Sequence, residues 1–507
     1  MILKNWSGRI KFNKKFFLVV FVFLIIIGFV IFEKIKNRTI EDVAIIIGSV
    51  DNIENIKFEK ISESLIQDNY SLNTKYDTDD YFINNLVNAY GKVPLINSDI
   101  SINVNALYDL EDLFKDLNNH NYDNIIVRRG YLSCSNENDC VTDHRTGYDI
   151  DVYIKDREWE DFEGHKEAKY FINNAYRYGF VLRYTKKDNY QPWHFRYVGK
   201  VFSYLIHELE YDIDDFVNNL EVNTIYKFND EETYFYKVKM DNIYIPENIK
   251  YEISSTNSGE YVISYSLKTL TKLSETSDEF DFKLNKLSNE NINYNLILVN
   301  EENENKFLSD NIVIFEENKK LDKTVLESYS KMKEQANKLD NHILFSTSAY
   351  RSYEEQKEIF EEENSGIANK PGHSEHETGL ALDLATDEKK VTYFYGTYIG
   401  KWVTDNAHEY GFILRYMNKK ESITKISYEP WHFRFVEEMH ATYMYEHYLT
   451  LEEYLNLFDL DKKYIMNYDN KNYLIYKYEV NDGNISKLEN SVVYYLYDNC
   501  YLVITEM

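Results

Sequence analysis

The sequence predicts an α+β protein built of two tandem copies of one unit, each closed by a short β-rich tail, behind a single N-terminal transmembrane helix. Three observations carry that reading: an unbroken apolar run from Phe16 to Phe32, a set of near-identical segments that recur at a fixed spacing, and a Tyr-rich stretch of alternating apolar residues after each copy. The 507 residues allow about three domains at about 150 residues each.

The apolar run, FFLVVFVFLIIIGFVIF, holds 17 residues with one Gly and no charge. At about 1.5 Å per residue it spans about 25 Å, the short end of a membrane-crossing helix. Lys4, Arg9, Lys11, Lys14 and Lys15 precede it, whereas Lys34, Lys36 and Arg38 follow it and are partly offset by Glu33. The stronger basic cluster lies upstream, so the positive-inside rule puts the N-terminus in the cytoplasm and everything after Arg38 outside. No small-residue cleavage site ends the run, which favours an uncleaved anchor over a signal peptide. The expected location is the cell membrane, single-pass, with the remaining chain extracytoplasmic.

Self-similarity organises the remainder. Pro192-Trp-His-Phe-Arg196 recurs as Pro430-Trp-His-Phe-Arg434, 430 − 192 = 238 residues on. Tyr178-Gly-Phe-Val-Leu-Arg-Tyr184 matches Tyr410-Gly-Phe-Ile-Leu-Arg-Tyr416, and His144-x-Thr-Gly147 matches His376-x-Thr-Gly379, both at an offset of 232. The second copy therefore carries 238 − 232 = 6 extra residues between Tyr416 and Pro430. The flanks follow suit: Asp215-Phe-Val-Asn218 resembles Glu453-Tyr-Leu-Asn456, and Tyr261-Val-Ile-Ser264 resembles Leu502-Val-Ile-Thr505. Val325, Tyr329, Met332, Ala336 and Leu339 share a helical face, as do Leu110, Leu113, Phe114 and Leu117. A strand-like run follows each, Ile343-Leu-Phe-Ser-Thr and Ile125-Ile-Val. The expected organisation is a basic cytoplasmic segment over 1–15, the anchor over 16–32 and an unassigned extracytoplasmic segment over 33–83. The first unit with its tail covers 84–265, a polar linker 266–292, the second unit 293–460 and its tail 461–507.

Composition excludes several classes. Lys and Arg number 57 against 85 Asp and Glu, a net charge of −28, so a surface built to neutralise phosphates, and with it nucleic acid as a partner, is excluded. Hydrophobic residues at 44% and aromatics at 16%, with 47 Tyr, supply cores and exclude wholesale disorder. Only 3 Cys are present, which excludes a disulfide scaffold and a Cys-ligated metal cluster. Cys134 and Cys140 outside a cell are compatible with a disulfide or with two buried thiols, and Cys500 reads as core.

Chemistry concentrates in the second copy. Residues 371–384 read Pro-Gly-His-Ser-Glu-His-Glu-Thr-Gly-Leu-Ala-Leu-Asp-Leu, and Glu429-Pro-Trp-His432 follows downstream. His376, Asp383 and His432 offer two imidazoles and one carboxylate, a set suited to four-coordinate zinc with one position open, though also acceptable to other divalent ions. A single carboxylate leaves such an ion net positive and able to acidify water. Glu429, three residues before a ligand, is placed to take that water's proton.

The pattern Ser374-x-His376-x-x-Gly379-x-Ala381-x-Asp383 with Glu429-Pro-Trp-His432-x-Arg434 resembles the zinc D-alanyl-D-alanine carboxypeptidases of the VanY type, here as a tandem duplication with a degenerate first copy. Ser348-Ala-Tyr-Arg351-Ser-Tyr-x-x-Gln356 looks like that family's substrate-site segment, and the resemblance runs over about residues 293–450. It implies that His376, Asp383 and His432 hold Zn2+ and that Glu429 is the general base. Arg351 would steady the substrate carboxylate or the polarised carbonyl, with Gln356 and Ser374 in the substrate site. The implied reaction removes the terminal D-Ala, or D-lactate, from peptidoglycan stem peptides. Cleavage at an L,D bond, an endopeptidase activity, and a non-catalytic wall-binding protein stay open as alternatives.

In the first copy His144, Asp151 and His194 occupy the ligand positions, with Asp149 as a nearby second carboxylate, but Gln191 stands where the base is needed. An amide matches Glu in shape and cannot accept a proton at neutral pH. Leu132 replaces the guanidinium of Arg351, and Glu137 falls at the Gln356 position. The first copy is expected to be inactive, with zinc retention open; peptide binding without cleavage, a spacer role and dimerisation stay open as its uses.

Overall fold

The computed structural model describes residues 39–507 apart from 51–55, 67, 70, 75–79, 134–141, 158, 187–188, 229–231, 269, 289–291, 364–368 and 461. The expected anchor at 16–32, Cys134, Cys140 and Glu137 lie outside the described residues. Among the described residues no helix is long and apolar enough to cross a membrane.

The core of each unit is a four-stranded antiparallel sheet with a helix packed against one face. In the first unit the strands run in the order Ile125–Arg129, Asp149–Ile154, His194–Tyr197, Phe180–Leu182. In the second they run Leu344–Ser348, Ala381–Thr386, His432–Phe435, Phe412–Leu414, in the same sense. The two helical periods form the helices Val104–Asn119 and Lys323–Ala336. Each is started by a side chain that accepts from the backbone two residues on: Asn103 from the Asn105 N–H and Asp322 from the Thr324 N–H. Their apolar faces, including Leu110, Leu113, Phe114 and Leu117 in one and Val325, Tyr329, Met332 and Ala336 in the other, are buried in their own cores. Leu339 lies past the helix end and packs against the first unit's core instead.

The tails form separate sheets, and these change the domain boundaries. The first tail orders its strands Ala44–Ser49, Thr224–Phe228, Thr233–Lys239, Glu260–Ser266, Tyr251–Ser255. The second orders Lys272–Thr276, Lys463–Tyr468, Lys471–Glu479, Cys500–Glu506, Val492–Tyr497 and Ile292–Asn293. The stretch 266–292, expected as a linker, thus contributes Lys272–Thr276 to the second tail, and Lys283–Lys286 pairs with Asn484–Lys487 beside it. The unassigned stretch does the same for the first tail, through Ala44–Ser49 and through Phe58–Ile61 paired with Ile243–Pro246. Each unit begins and ends in its tail, and the core is inserted between. Such strands read as linkers because Lys272–Thr276 and Lys283–Lys286 are exposed or half-exposed throughout and show no apolar alternation.

One core difference between the copies predicts an acid sensitivity. His440 is fully buried with its Nδ1 2.7 Å from the Tyr454 hydroxyl, and burial pulls its imidazole down to about 4. The folded chain keeps this His neutral where the unfolded chain protonates it. The stability it allows is therefore full above pH about 6.5 and falls as pH drops towards about 4, by about 3 kcal/mol. The first copy places Phe202 and Phe216 at these positions, with ring centroids 6.0 Å apart. The paired replacement His440→Phe with Tyr454→Phe is expected to flatten the acid limb of denaturant-midpoint-against-pH curves for the second unit. An unchanged limb would contradict the assignment.

The units pack on each other through the helices Val104–Asn119 and Tyr398–Asn406. Tyr108 stacks on Tyr398 at 4.2 Å between centroids, and the Lys92 ammonium lies 3.7 Å over the same Tyr398 ring. Lys389 Nζ crosses the boundary to donate to the carbonyls of Asn84 and Leu86, at 3.0 and 2.6 Å.

Candidate active site

Strand alternation builds the site's floor. Leu382 and Leu384 point into the core, so Asp383 between them points out of the opposite face. Asp383 pairs directly with His432 on the neighbouring strand, as Asp151 pairs with His194 in the first unit. The register thus sets a carboxylate beside an imidazole, with His432 Nδ1 3.0 Å from Asp383 Oδ1.

His376 arrives on the turn Glu375–Thr378. Gly379 ends that turn at φ 75°, a left-handed conformation, and a Cβ there would lie 2.6 Å from Ile312 Cδ1. This is why the motif carries Gly three residues after His. His376 Nδ1 lies 2.7 Å from the Ala349 carbonyl, so it carries the proton and Nε2 faces Asp383 Oδ2 at 3.3 Å.

Glu429 and His432 are the first and fourth residues of a turn with Pro430 in second place, closed by His432 N–H donating to the Glu429 carbonyl at 3.2 Å. The turn brings Glu429 Oε2 to 3.8 Å from His432 Nδ1. Burial, with the Asp383 and Glu375 charges adding to it, raises the Glu429 carboxyl above its ordinary value despite His432 and Arg351 opposing. Arg351 donates from Nε to Ser348 Oγ at 3.0 Å and from Nη1 to Gln356 Oε1 at 2.9 Å, leaving Nη2 3.5 Å from Asp383 Oδ2. Gln356, only 1% exposed, also donates to the Asn369 carbonyl at 2.7 Å, so both ends of its amide are engaged in holding Arg351. Ser374 is buried at the start of the His376 turn, where its N–H donates to Glu377 Oε1 at 3.3 Å.

Beneath the site lies a charge cluster that motif reading did not single out. Arg415 and Arg434, both fully buried, donate to Glu375 Oε1 at 2.8 and 2.9 Å, and Arg415 reaches Glu452 through two further bonds of 2.9 and 2.7 Å. Glu375 Oε2 is left 3.5 Å from His432 Nε2, and neither of these two buried atoms has a hydrogen-bond partner among the described residues. Burial would lower the His432 imidazole, but the Asp383 and Glu375 carboxylates outweigh it and push it up to about 9. The repeated arginines of the two identical blocks were the available signal, since a buried guanidinium requires an acid.

The donor atoms of His376, Asp383 and His432 all lie within 4.8 Å of one another and are buried. Two imidazoles with unshared nitrogens turned to one carboxylate, and an outer carboxylate behind one of them, fit a zinc site with its supporting shell. His144, Asp151 and His194 meet the same test. His144 Nδ1 lies 2.7 Å from the Gly130 carbonyl and His194 Nδ1 2.9 Å from Asp151 Oδ1, and the two His rings sit 4.9 Å apart in each unit.

The units differ around these triads. Gln191 occupies the base position on an identical turn, but its amide donates to Asn189 Oδ1 at 3.2 Å. Leu132 N–H bonds the His144 carbonyl as Arg351 N–H bonds that of His376, which confirms the alignment of the two. A guanidinium nevertheless returns from elsewhere: Arg129 Nη1 lies 3.4 Å from Asp151 Oδ2. The work of Glu375 is divided in the first unit. Asp143 takes Arg183 at 3.0 Å, and Asp149 takes Arg196 and faces His194 Nε2 at 3.3 Å.

The family VanY, D-alanyl-D-alanine carboxypeptidase, matches residues 103–200 and 318–438. A D-alanyl-D-alanine carboxypeptidase of Enterococcus faecium is 32% identical over 179 residues, covering 35% of this chain and 58% of its own length. Among solved structures, a VanY D,D-pentapeptidase in complex with Zn(II) is 30% identical, with a TM-score of 0.30 over 32% of this chain and 100% of that one. The LdcB LD-carboxypeptidase is 37% identical, with a TM-score of 0.29 over 31% and 84%. The chain spans between 46% and 62% of the length of the curated relatives it matches.

Proposed function

Both cores of this chain belong to the VanY family of D-alanyl-D-alanine carboxypeptidases, and on that premise we propose that the second core is a zinc carboxypeptidase that removes the terminal D-Ala from peptidoglycan stem peptides. The observation that carries this is Glu429, set by a Pro turn beside the His376–Asp383–His432 donors with Arg351 across from it.

Bound there, zinc supplies a Lewis acid that polarises a carbonyl and lowers the pKa of water. His376, Asp383 and His432 would hold it. Glu429 accepts the proton of the attacking water, for which its raised basicity suits it, and returns it to the departing amine. Arg351, locked by Ser348 and Gln356, presents Nη2 to the substrate's terminal carboxylate. Gln356 is therefore a positioning residue, and Ser374 contributes through the turn that carries His376.

The first core keeps donors and a guanidinium but no base, so its assigned use is to hold a stem peptide without cutting it. Beside an enzyme such a holder raises local substrate concentration. The run at 16–32 anchors both cores in the cell membrane, N-terminus inside and the cores on the wall side. The surface beyond it is more acidic than the net −28, because the basic N-terminal residues stay behind.

The test supplies stem peptides ending in D-Ala-D-Ala, in D-Ala-D-lactate and in a single D-Ala to the full chain in detergent. Release of D-Ala from the first, with no D-lactate from the second and no D-Ala from the third, is expected, and it is lost with a chelator and restored by zinc. Release only from the peptide ending in a single D-Ala would make the enzyme an L,D-carboxypeptidase. No release from any of them would leave the wall-binding reading.

A further inference from the structure

A cavity of about 660 Å3 lies between the two units, and the proposed chemistry does not use it. Its walls come from three places: Tyr108 and Tyr197 from the first core, Tyr251 from the first tail, and Tyr395, Trp402 and Tyr445 from the second unit. The packing of Tyr108 on Tyr398 and the Lys389 bonds hold the two walls together.

The polar groups in it select a class of ligand. Asp109, Asp112, Glu252 and Asp405 face the cavity along with Asn105 and Asn406. Asp109 is engaged by the Tyr197 hydroxyl at 2.7 Å and Asp405 by Lys401. The Glu252 side chain, on a strand paired through Ser264, has no hydrogen bond or ion pair among the described residues. Water reaches it, yet protein surrounds it closely enough that burial raises its carboxyl. Lys250 and Lys401 also line the space, with ammonium groups 3.9 Å from the Tyr445 ring centroid and 6.0 Å from that of Tyr395.

Four carboxylates against two lysines disfavour an anion. The aromatic walls and the amides beside them suit a ligand with flat apolar faces and many hydroxyls. The C–H face of a sugar ring covers an aromatic ring, while carboxylates and amides bond its hydroxyls. A smaller recess of about 160 Å3 shares Tyr395, Tyr445 and Tyr448 with the cavity and continues to Phe412, Leu414 and Tyr428. That apolar recess suits a methyl group such as the one an acetamido substituent carries.

We propose that the cavity between the units binds a neutral N-acetylated saccharide of about two or three rings, a size within the ordinary range of ligand pockets. Its identification with the glycan strand of the cell wall rests on the proposed function; the saccharide site does not.

The test titrates the full chain in detergent with a tetramer of β-1,4-linked N-acetylglucosamine by calorimetry. Saturable binding is expected. Glu252→Arg, which puts a long cation into the cavity in place of a side chain with no partner among the described residues, is expected to weaken it about tenfold or more. D-Ala release from a free pentapeptide should be unchanged in that variant. Glu252→Gln, of the same shape, is expected to weaken binding by a smaller factor. Absence of saturable binding to the unaltered chain, or equal affinity in the Glu252→Arg chain, overturns the site. Equal affinity for the tetramer of unsubstituted glucose overturns the role of the recess. Saccharide binding by a chain that releases no D-Ala would leave this site standing and remove the proposed function.

Discussion

Glu429→Gln is expected to lower D-Ala release by about a thousandfold or more while leaving the metal content of the second unit intact, as read by turnover and by metal analysis on the same sample. General-base groups of this kind contribute about 10² to 10⁴ in rate, and nothing else on the turn can replace this one. Glu429 lies 3.8 Å from His432 Nδ1 rather than at bonding distance, so its exchange for an isosteric amide removes a proton acceptor and keeps the donors in place. The chain already contains that experiment in its other half. Gln191 sits on the same turn, with its N–H on the Tyr184 carbonyl as the Glu429 N–H is on that of Tyr416, and the His144–Asp151–His194 donors around it are kept. Full turnover in the variant would remove Glu429 from the mechanism.

Glu375→Gln is expected to cost the second unit about 3–5 kcal/mol, the usual penalty for breaking a buried ion pair from one side. Two fully buried guanidinium groups, Arg415 and Arg434, share one oxygen of this carboxylate. Glu452 relieves Arg415, but among the described residues Arg434 is otherwise bonded only to backbone carbonyls, at Phe435, Asn295 and Ile297. The first unit indicates the compensation. There Asp149 pairs across the strands with Arg196, at the position that Ala381 holds opposite Arg434. The double change Glu375→Asp with Ala381→Asp recreates the first unit's arrangement and is expected to recover most of the loss in denaturant unfolding. Equal stability of Glu375→Gln and the unaltered chain would show that the cluster does not support the site.

The duplication and the chemistry at its centre could be read from residues alone because rare residue types recur in fixed order. Trp, His, Pro and Gly in recurring blocks mark His376, Asp383 and His432, with Glu429 directly before the second block, and the structure brings these four together. What escaped reading is whatever depends on distant packing. Glu375 and Arg415 stand 40 residues apart and meet only in the fold. The family resemblance of its segment implies a place for Gln356 in the substrate site; its amide also bonds Arg351 and the Asn369 carbonyl, contacts that only the fold brings about. Leu132 correctly marked a missing guanidinium, but the return of one from Arg129, at the strand end opposite Asp151, follows from register. The strands at the start of each unit were invisible for a different reason. Half-exposed edge strands such as Lys283–Lys286 bury too little to impose a period of two.

The central claim is that one unit cuts and the other does not, and breaking one metal triad at a time tests it most directly. D-Ala release from a pentapeptide ending in D-Ala-D-Ala is measured with the zinc-supplied full chain carrying either His376→Ala or His144→Ala. The account predicts that release is lost in the first and kept in the second. Release that survives His376→Ala, or that His144→Ala abolishes in a chain still folded, would contradict it.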